Sequence, residues 1–214
     1  MRTWIKFCGT TSLEDALASI EAGADAVGFI FAPSKRSIPP AEAQEIIRRL
    51  PREIERIGVF FDSAGAGIAS VVNTVDLTGI QMHGWRDFPP EVYDCLSEGR
   101  RDKLRKIKTI VVDKDFPHKL ETMASSDFVD AWLLDSGAGS GKTFDWQMVR
   151  KQVSDRRGKF IIAGGLTPEN VATAVRTFSP WGVDVVSGIE RDPGRKDPEK
   201  MRAFVSAVRE AEKE

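Results

Sequence analysis

The sequence predicts an α/β fold, a single-domain (β/α)8 barrel of the TIM-barrel class, and three observations support this prediction. Eight short apolar runs recur along the 214 residues, about 26 residues apart on average, as strands do in repeated β/α units. Amphipathic helical patterns alternate with the runs, which favours parallel strands joined by helices. No linker or change of composition divides the chain, so we expect one domain over residues 1–214.

The predicted strands and helices have recognisable starts and ends. Ser12 is predicted to cap the first helix, and Gly23 to end it. Thr167 and Asp197 are each followed by proline, as a capping residue is when proline takes the first helical position. The apolar runs begin near Trp4, Ala26, Arg56, Gly79, Ile107, Ala131, Lys159 and Val183. A closed barrel and a doubly wound open sheet both fit such a chain, and the count of eight favours the barrel.

The overall composition excludes several kinds of partner. The formal net charge is −1, so no global basic field attracts nucleic acid or an anionic membrane. No apolar run is long enough to span a membrane, and no signal peptide is evident. The two cysteines, Cys8 and Cys95, do not make a disulfide framework, which fits a reducing compartment. We therefore expect a cytoplasmic protein without nucleic-acid or membrane partners, in which any anion site is local.

Reactive side chains and glycines cluster directly after the predicted strands. In a barrel of this kind the carboxyl ends of the strands form the active-site face. A shared catalytic face therefore explains the clustering. The residues at these ends are Cys8-Gly9, Ser34-Lys35-Arg36, His83-Gly84, Asp135, Gly164-Gly165 and Ser187-Gly188.

The glycines after the seventh and eighth strands predict a site for a phosphorylated small molecule. Gly164-Gly165 precedes a helix, and Ser187-Gly188 follows the next strand. Glycine turns that lead into helices expose backbone N–H groups, and loops after strands seven and eight are the usual phosphate site of such barrels. The alternative is that these glycines only form tight corners between strands and helices.

Cys8 is a candidate catalytic thiol. It lies two residues after Lys6 on the same side of the first strand, and a nearby cation lowers the pKa of a thiol. Asp184 lies in the eighth strand, which neighbours the first in a closed barrel, so we predict a Lys6–Asp184 pair in the interior. The alternative for Cys8 is a small buried apolar residue, which is our interpretation of Cys95 on a helix core face.

Asp135, Arg36 and His83 are further candidates. Asp135 ends an apolar run, where partial desolvation would raise its pKa and suit general acid catalysis; an N-cap or a salt-bridged loop residue is the alternative. Arg36 can grip a carboxylate with its planar fork, although a lone arginine is more often simply solvated. His83 is either a ligand contact or a hydrogen-bonded core residue, whereas His118 is predicted at the surface.

One segment imitates a nucleotide-binding motif. Residues 139–143, GSGKT, resemble the end of a P-loop, but Ser136 stands where the full motif needs glycine. The two cysteines and two histidines show no metal-ligand spacing. Neither a P-loop NTPase nor a metal site is therefore favoured.

Five segments resemble the motifs of the phosphoribosylanthranilate isomerases of tryptophan biosynthesis. The matches are in register over nearly the whole chain, which makes the set more specific than any single motif. The segments are KFCGTTSLEDALASIEAGADAVGFIFAPSKRSI, GIQMHG, LLDSGAGSGKTFDW, IIAGGLTPENV and GVDVVSGIERDPGRKDPEKM. Thr10, residues 85–87 and Ala138 depart from the family pattern.

The resemblance implies an isomerase that needs no metal and no cofactor. Its reaction would be the Amadori rearrangement of N-(5′-phosphoribosyl)anthranilate to 1-(2-carboxyphenylamino)-1-deoxyribulose 5-phosphate, an aldose–ketose isomerisation classed as an intramolecular oxidoreduction. By position, Cys8 would be the general base, Asp135 the general acid, and Arg36 the contact of the anthranilate carboxylate. The substrate-binding set would be Arg36, His83, Gly164, Gly165, Asp184, Ser187 and Gly188, of which Gly165, Ser187 and Gly188 belong to the phosphate site. We expect a monomer or a homodimer.

Two other functions stay open on the sequence. A different phosphosugar barrel, such as an isomerase of histidine biosynthesis or a relative of indole-glycerol-phosphate synthase, is the first. The histidine-pathway isomerase would be expected to use paired aspartates, whereas strand one here ends in Cys8. A non-catalytic phosphate-binding protein is the second; it would keep the glycines without needing Cys8 or Asp135. The presence of both residues favours the enzyme.

Overall fold

A computed structural model describes residues 2–61, 65–84, 103–123, 129–137 and 143–213, and its strands close into a barrel. The strands are β1 (Trp4–Cys8), β2 (Ala26–Ile30), β3 (Glu55–Phe61), β4 (Gly79–His83), β5 (Arg105–Val111), β6 (Ala131–Asp135), β7 (Phe160–Ile162) and β8 (Gly182–Val185). Each strand pairs in parallel with the next, and β8 pairs with β1. The predicted eight-stranded barrel is therefore confirmed, and the doubly wound open sheet is excluded.

Helices between the strands cover the outside of the barrel. Within the described residues they are α1 (Leu13–Ala22), α2 (Pro40–Ile47), α3 (Gly65–Thr74), α4 (Phe116–Met123), α5 (Trp146–Val153), α6 (Val171–Phe178) and α7 (Pro198–Ala211). The side chain of Ser12 accepts a hydrogen bond from a backbone N–H of the first turn of α1, and Gly23 ends the helix with a φ of 100°. Asp197 caps α7. These three predictions are confirmed.

The predicted start of α6 is wrong by one turn. The helix begins at Val171, not directly after Thr167. The backbone N–H of Thr167 donates to the side-chain oxygen of Asn170 over 2.8 Å, and this bond closes a separate turn ahead of the helix. Thr167 therefore begins a turn that leads into the helix, and its side chain does not cap α6.

Strand residues alternate between two sides of the barrel wall. On β1, Ile5 and Phe7 face outward and pack with Phe204 of α7, which belongs to the same buried cluster. The apolar residues that fill the interior are Trp4, Ala26, Ile57, Ile107, Ala131, Leu133, Ile161 and Ala163. Inward positions nearer the carboxyl ends of several strands carry polar side chains instead, and these define the candidate site.

A short hairpin that the sequence analysis did not predict follows β8. The chain passes through a 3-10 turn (Ser187–Ile189) into the antiparallel strands β9 (Glu190–Asp192) and β10 (Arg195–Lys196). The hairpin places Lys196 against the end of β1 and Glu190 against the loop that follows β2.

Some sequence predictions fall outside the described residues. These are the core position of Cys95, the departures at residues 85–87 and Ala138, and most of the P-loop-like segment. In the part of the chain that is described, no helix is long and apolar enough to cross a membrane.

Candidate active site

A buried ion pair joins β1 and β8 inside the barrel. Lys6 and Asp184 are register partners, and Lys6 Nζ donates a hydrogen bond to Asp184 Oδ1 over 2.8 Å. The side chain of Lys6 is fully buried and that of Asp184 is 6% exposed. Burial lowers the pKa of Lys6, but the charges of Asp184 and Cys8 outweigh it, so the pKa is raised and Lys6 stays a cation. The predicted pair is confirmed.

Cys8 ends β1 on the same side of the strand as Lys6 and is buried. Burial raises the pKa of its thiol, and although Lys6 opposes this, the result is a pKa above the ordinary value. Lys6 therefore lowers the pKa of this thiol, as expected, but it does not bring the pKa below the ordinary value. Burial is the larger effect, and the charge of Lys6 is already shared with Asp184.

Gly28 on β2 leaves the space that the thiol occupies. It is the register partner of Cys8 across the strand pair. A Cβ at this position would lie 2.7 Å from Cys8 Sγ and 3.0 Å from Lys6 Cε, which is closer than packed side chains approach. The sequence analysis missed this residue. The available signal was a glycine inside an apolar strand, which often marks a close approach.

Asp135 ends β6 with its carboxyl group half-buried at the mouth of the barrel. Burial raises the pKa of this group, and the negative charge of Asp184 raises it further. The backbone N–H of Gly137 opposes the rise by donating to Oδ1 over 3.1 Å. The predicted desolvation is confirmed, and a carboxyl group that keeps its proton to higher pH is suited to general acid catalysis.

His83 ends β4 and is neutral at physiological pH. Burial lowers its pKa to about 4, and the charge of Lys6 contributes. The side-chain N–H groups of Gln81 donate to His83 Nε2 over 3.0 Å and to Thr109 Oγ1 over 3.3 Å. Because Nε2 accepts, the neutral ring carries its proton on Nδ1. His83 is hydrogen-bonded inside the barrel mouth, and its contact with a ligand stays a prediction.

Arg36, in the loop after β2, is held by Glu190 of β9. Arg36 Nε donates to Glu190 Oε1 over 2.8 Å, and Nη2 donates to Oε2 over 2.7 Å. The side chain of Glu190 is 4% exposed and that of Arg36 is 21% exposed. Burial raises the pKa of Glu190, but the bonds from Arg36 and the charge of Lys196 outweigh it, so this carboxylate stays ionised. Arg36 is therefore an anchored residue and not a freely solvated one.

Lys196 of β10 lies fully buried beside this pair. Its Nζ donates to the carbonyl of Cys8 over 2.6 Å, to the carbonyl of Val186 over 3.2 Å and to Glu190 Oε1 over 3.3 Å. An ammonium group has three donors, and here each donor has an acceptor. Lys196 thus connects the end of β1, the loop after β8 and the anchor of Arg36. The sequence analysis missed both Glu190 and Lys196.

The glycine loops after β7 and β8 meet at the same mouth. Gly164 and Gly165 have φ angles of 78° and 63°, which favour glycine. A Cβ on Gly188 would collide with the carbonyl of Leu166, so the two loops are in direct contact. The Nδ2 group of Asn170 donates to the carbonyl of Gly165 over 2.9 Å and fixes the first loop. The two loops predicted to bind a phosphate therefore lie together, and the phosphate site itself stays a prediction.

All of the sequence-predicted site residues lie at one end of the barrel. They are Cys8, Arg36, His83, Asp135, Gly164, Gly165, Asp184, Ser187 and Gly188, each at or near the carboxyl end of its strand or in the loop that follows. Among the described residues, no group of His, Cys, Asp and Glu side chains is arranged to hold a metal ion. His118 is exposed on α4, as predicted.

Comparison with known proteins places this geometry in a family. The family model for N-(5′-phosphoribosyl)anthranilate (PRA) isomerase matches residues 5–207. The N-(5′-phosphoribosyl)anthranilate isomerase of Geotalea daltonii is 41% identical over 210 residues, which cover 97% of each chain.

Solved structures agree with the sequence match. Phosphoribosyl anthranilate isomerase from Thermotoga maritima superposes with a TM-score of 0.83 at 37% identity, over 97% of this chain and 99% of that one. A phosphoribosyl anthranilate isomerase in complex with reduced 1-(o-carboxyphenylamino)-1-deoxyribulose 5-phosphate gives a TM-score of 0.79 at 35% identity, with the same coverage. The closed barrel and the nearly full-length matches together show that this chain belongs to the N-(5′-phosphoribosyl)anthranilate isomerase family.

Proposed function

We propose that this chain, as one barrel domain over residues 1–214, rearranges N-(5′-phosphoribosyl)anthranilate with Cys8 as the general base and Asp135 as the general acid. The observation that carries the assignment is geometric: Cys8 and Asp135 each end a strand at the same mouth of the barrel, above the buried Lys6–Asp184 pair. Two groups that exchange protons with neighbouring atoms of one small substrate must share such a site.

The acid acts on the ring oxygen of the ribose. Asp135 gives a proton to that oxygen, the bond between the oxygen and C1′ breaks, and the nitrogen lone pair forms a Schiff base with C1′. A carboxyl group does this only in its protonated form, and the raised pKa of Asp135 increases that population at neutral pH.

The base acts on the neighbouring carbon. The thiolate of Cys8 removes the proton from C2′, and the electron pair moves to give an enolamine. Uptake of a proton at C1′ and loss of the proton on O2′ then give the ketose. C1′ is reduced and C2′ is oxidised, so the reaction is an aldose–ketose isomerisation and an intramolecular oxidoreduction that needs no external electron carrier.

The two ends of the substrate are assigned to different loops. Arg36 binds the anthranilate carboxylate, and Gly165, Ser187 and Gly188 bind the phosphate through backbone N–H groups. Gly164 shapes the phosphate loop, and His83 and Asp184 contact the central part of the substrate. We place the protein in the cytoplasm as a monomer or a homodimer; the Thermotoga maritima enzyme is dimeric.

A fluorescence progress curve on freshly prepared phosphoribosylanthranilate tests the proposal. Cys8→Ala and Asp135→Asn should each lower kcat by about 10²–10⁴-fold, the range for loss of one proton-transfer group. Asp115→Asn, which changes an exposed carboxylate on the surface, is the matched control and should retain full turnover. A folded wild type without turnover overturns the proposed reaction. If the Cys8→Ala variant still turns over the substrate, the proposed reaction stands but Cys8 is not the general base.

A further inference from the structure

The guanidinium of Arg36 has two edges that can each bind a carboxylate, and one is already occupied. Glu190 takes the side edge formed by Nε and Nη2. The end edge consists of one N–H of Nη1 and the second N–H of Nη2, which point in the same direction. Within the described residues Nη1 has no hydrogen-bond partner, so this edge is available to a second anion.

The charges around Arg36 leave a net positive charge for such an anion. Glu190 alone would cancel the charge of Arg36 and weaken any attraction for a carboxylate ligand. Lys196 Nζ lies 3.3 Å from the same carboxylate, so two cations share one anion and the group of three keeps one positive charge. Burial lowers the pKa of Lys196, but its Nζ faces three acceptors, and the ammonium form with its three N–H donors satisfies all of them whereas the neutral amine with two does not.

The anchor itself is held from several sides. Glu190 Oε1 also accepts the backbone N–H of Gly194 over 3.2 Å, and the carbonyl of Glu190 accepts Lys200 Nζ over 2.8 Å. Because these partners fix the Glu190 carboxylate in place, its bonds to Arg36 also fix the position of the arginine side chain. Arg36 then loses its side-chain freedom on folding instead of on ligand binding.

We propose that Glu190 and Lys196 are positioning residues for the carboxylate-binding end of the site. Glu190 turns the end edge of Arg36 toward the ligand, and Lys196 offsets the charge of Glu190 while holding the carbonyl of Cys8. The carboxylate contact and the end of β1 that carries the thiol are thereby joined in one rigid unit. This inference rests on the proposed function, because the ligand is taken to carry a benzoate carboxylate.

Binding of two matched ligands tests the proposal. The first is reduced carboxyphenylamino-deoxyribulose phosphate, and the second is the same compound with a plain phenyl ring in place of the carboxyphenyl ring. Dissociation constants for both are measured with the wild type, Glu190→Gln and Glu190→Asp. Asp192→Asn, which changes an exposed carboxylate on the same strand, is the control.

We expect the wild type and Asp192→Asn to prefer the carboxylated compound. Glu190→Gln should reduce that preference by about tenfold or more, as expected for a misplaced charge-assisted hydrogen-bond pair, with little change for the phenyl compound. Glu190→Asp keeps the charge beside Lys196, but its shorter side chain cannot reach both nitrogens of Arg36, so it should show a similar loss. Glu190→Asp therefore distinguishes the effect of the side-chain position from the effect of the negative charge. It also keeps the test valid if Glu190→Gln folds poorly.

Three outcomes contradict the proposal. An unchanged preference in both Glu190 variants shows that Arg36 needs no anchor. Tighter binding of the carboxylated compound by Glu190→Gln shows that Glu190 repels the ligand. If the wild type turns over phosphoribosylanthranilate but binds both compounds equally, the ligand carboxylate makes no contact that contributes to binding. A wild type that shows no turnover and binds neither compound instead contradicts the proposed function.

Discussion

At the amino-terminal end of the barrel interior, Arg105 and Glu55 form an ion pair. Arg105 donates to both carboxylate oxygens of Glu55 over 2.6 and 2.9 Å, and Trp4 Nε1 donates to the same carboxylate over 3.2 Å. The guanidinium of Arg105 lies 4.9 Å from the ring centroid of Trp181, which stacks against Trp4. These contacts close the lower end of the barrel and add to stability.

At the carboxyl-terminal end, polar groups are only partly satisfied. Lys6 and Asp184 pair, but Oε1 of Gln81 and Oγ1 of Thr10 are buried and have no hydrogen-bond partner among the residues that the structure describes. Unpaired buried groups cost stability in the free protein and become useful when a ligand supplies the missing partner. One barrel thus uses interior charge for stability at one end and for chemistry at the other.

The largest expected effect on stability comes from Lys6→Met. The variant leaves Asp184 buried without its partner, so the free energy of unfolding at neutral pH should fall by about 3–5 kcal/mol. Urea denaturation measures the loss. The double variant Lys6→Met/Asp184→Asn should recover part of it, because no unpaired charge remains. A single variant as stable as the wild type would mean that the pair is not needed for folding.

The next effect concerns the pH dependence of stability. The pKa of His83 is about 4 in the folded protein, below the ordinary value of 6.5, so the folded state takes up this proton less readily than the unfolded state. The contribution of His83 to the free energy of unfolding is fully present above pH 6.5 and is lost as the pH falls toward 4. The total loss has an upper limit of about 3 kcal/mol.

Two matched variants isolate this contribution. His83→Gln should flatten the profile of unfolding free energy across that pH window, whereas His118→Gln, which changes an exposed histidine, should leave it unchanged. Denaturation curves at both ends of the window make the comparison. A profile unaltered by His83→Gln would show that this ring is solvated in the native state.

The smallest expected effects on stability come from substitutions at the amino-terminal end of the barrel. Arg105→Met should lower the free energy of unfolding by about 1–2 kcal/mol, because its pair with Glu55 is only partly buried, and kcat should not change. Arg48→Met breaks the pair with Glu45, whose side chains are 62% and 72% exposed, and should cost less than about 0.5 kcal/mol. A fall in kcat of Arg105→Met would break the distinction between the two ends.

The alternation of side chains along a strand explains why part of the site at the carboxyl-terminal end of the barrel could be predicted. Side chains two residues apart on one strand share a face, and neighbouring strands bring such faces together, so Lys6 and Asp184 could be paired from the sequence. The raised pKa of Asp135 followed from its position after an apolar run. The pKa of the thiol did not follow, because its direction depends on a balance between burial and a nearby charge that only coordinates provide.

The anchor of Arg36 could not be predicted for a different reason. Glu190 and Arg36 are 154 residues apart, and the hairpin that joins them is irregular, so no periodic pattern indicates its fold. The motif segment GVDVVSGIERDPGRKDPEKM contains both Glu190 and Lys196, but nothing in it distinguishes them from their charged neighbours, and charged residues close behind a strand are usually solvated. Gly28 gave a clearer signal, since an isolated glycine within a strand is unusual.

The bond from Lys196 to the carbonyl of Cys8 spans 188 residues and has a consequence for synthesis. The ribosome releases the strand that carries the thiol long before it makes the lysine that holds its end. Contacts so distant in sequence form late, because the intervening chain must first lose its freedom. A nascent chain that stops short of β10 therefore carries the thiol at the end of β1 but lacks the lysine that holds that end in place.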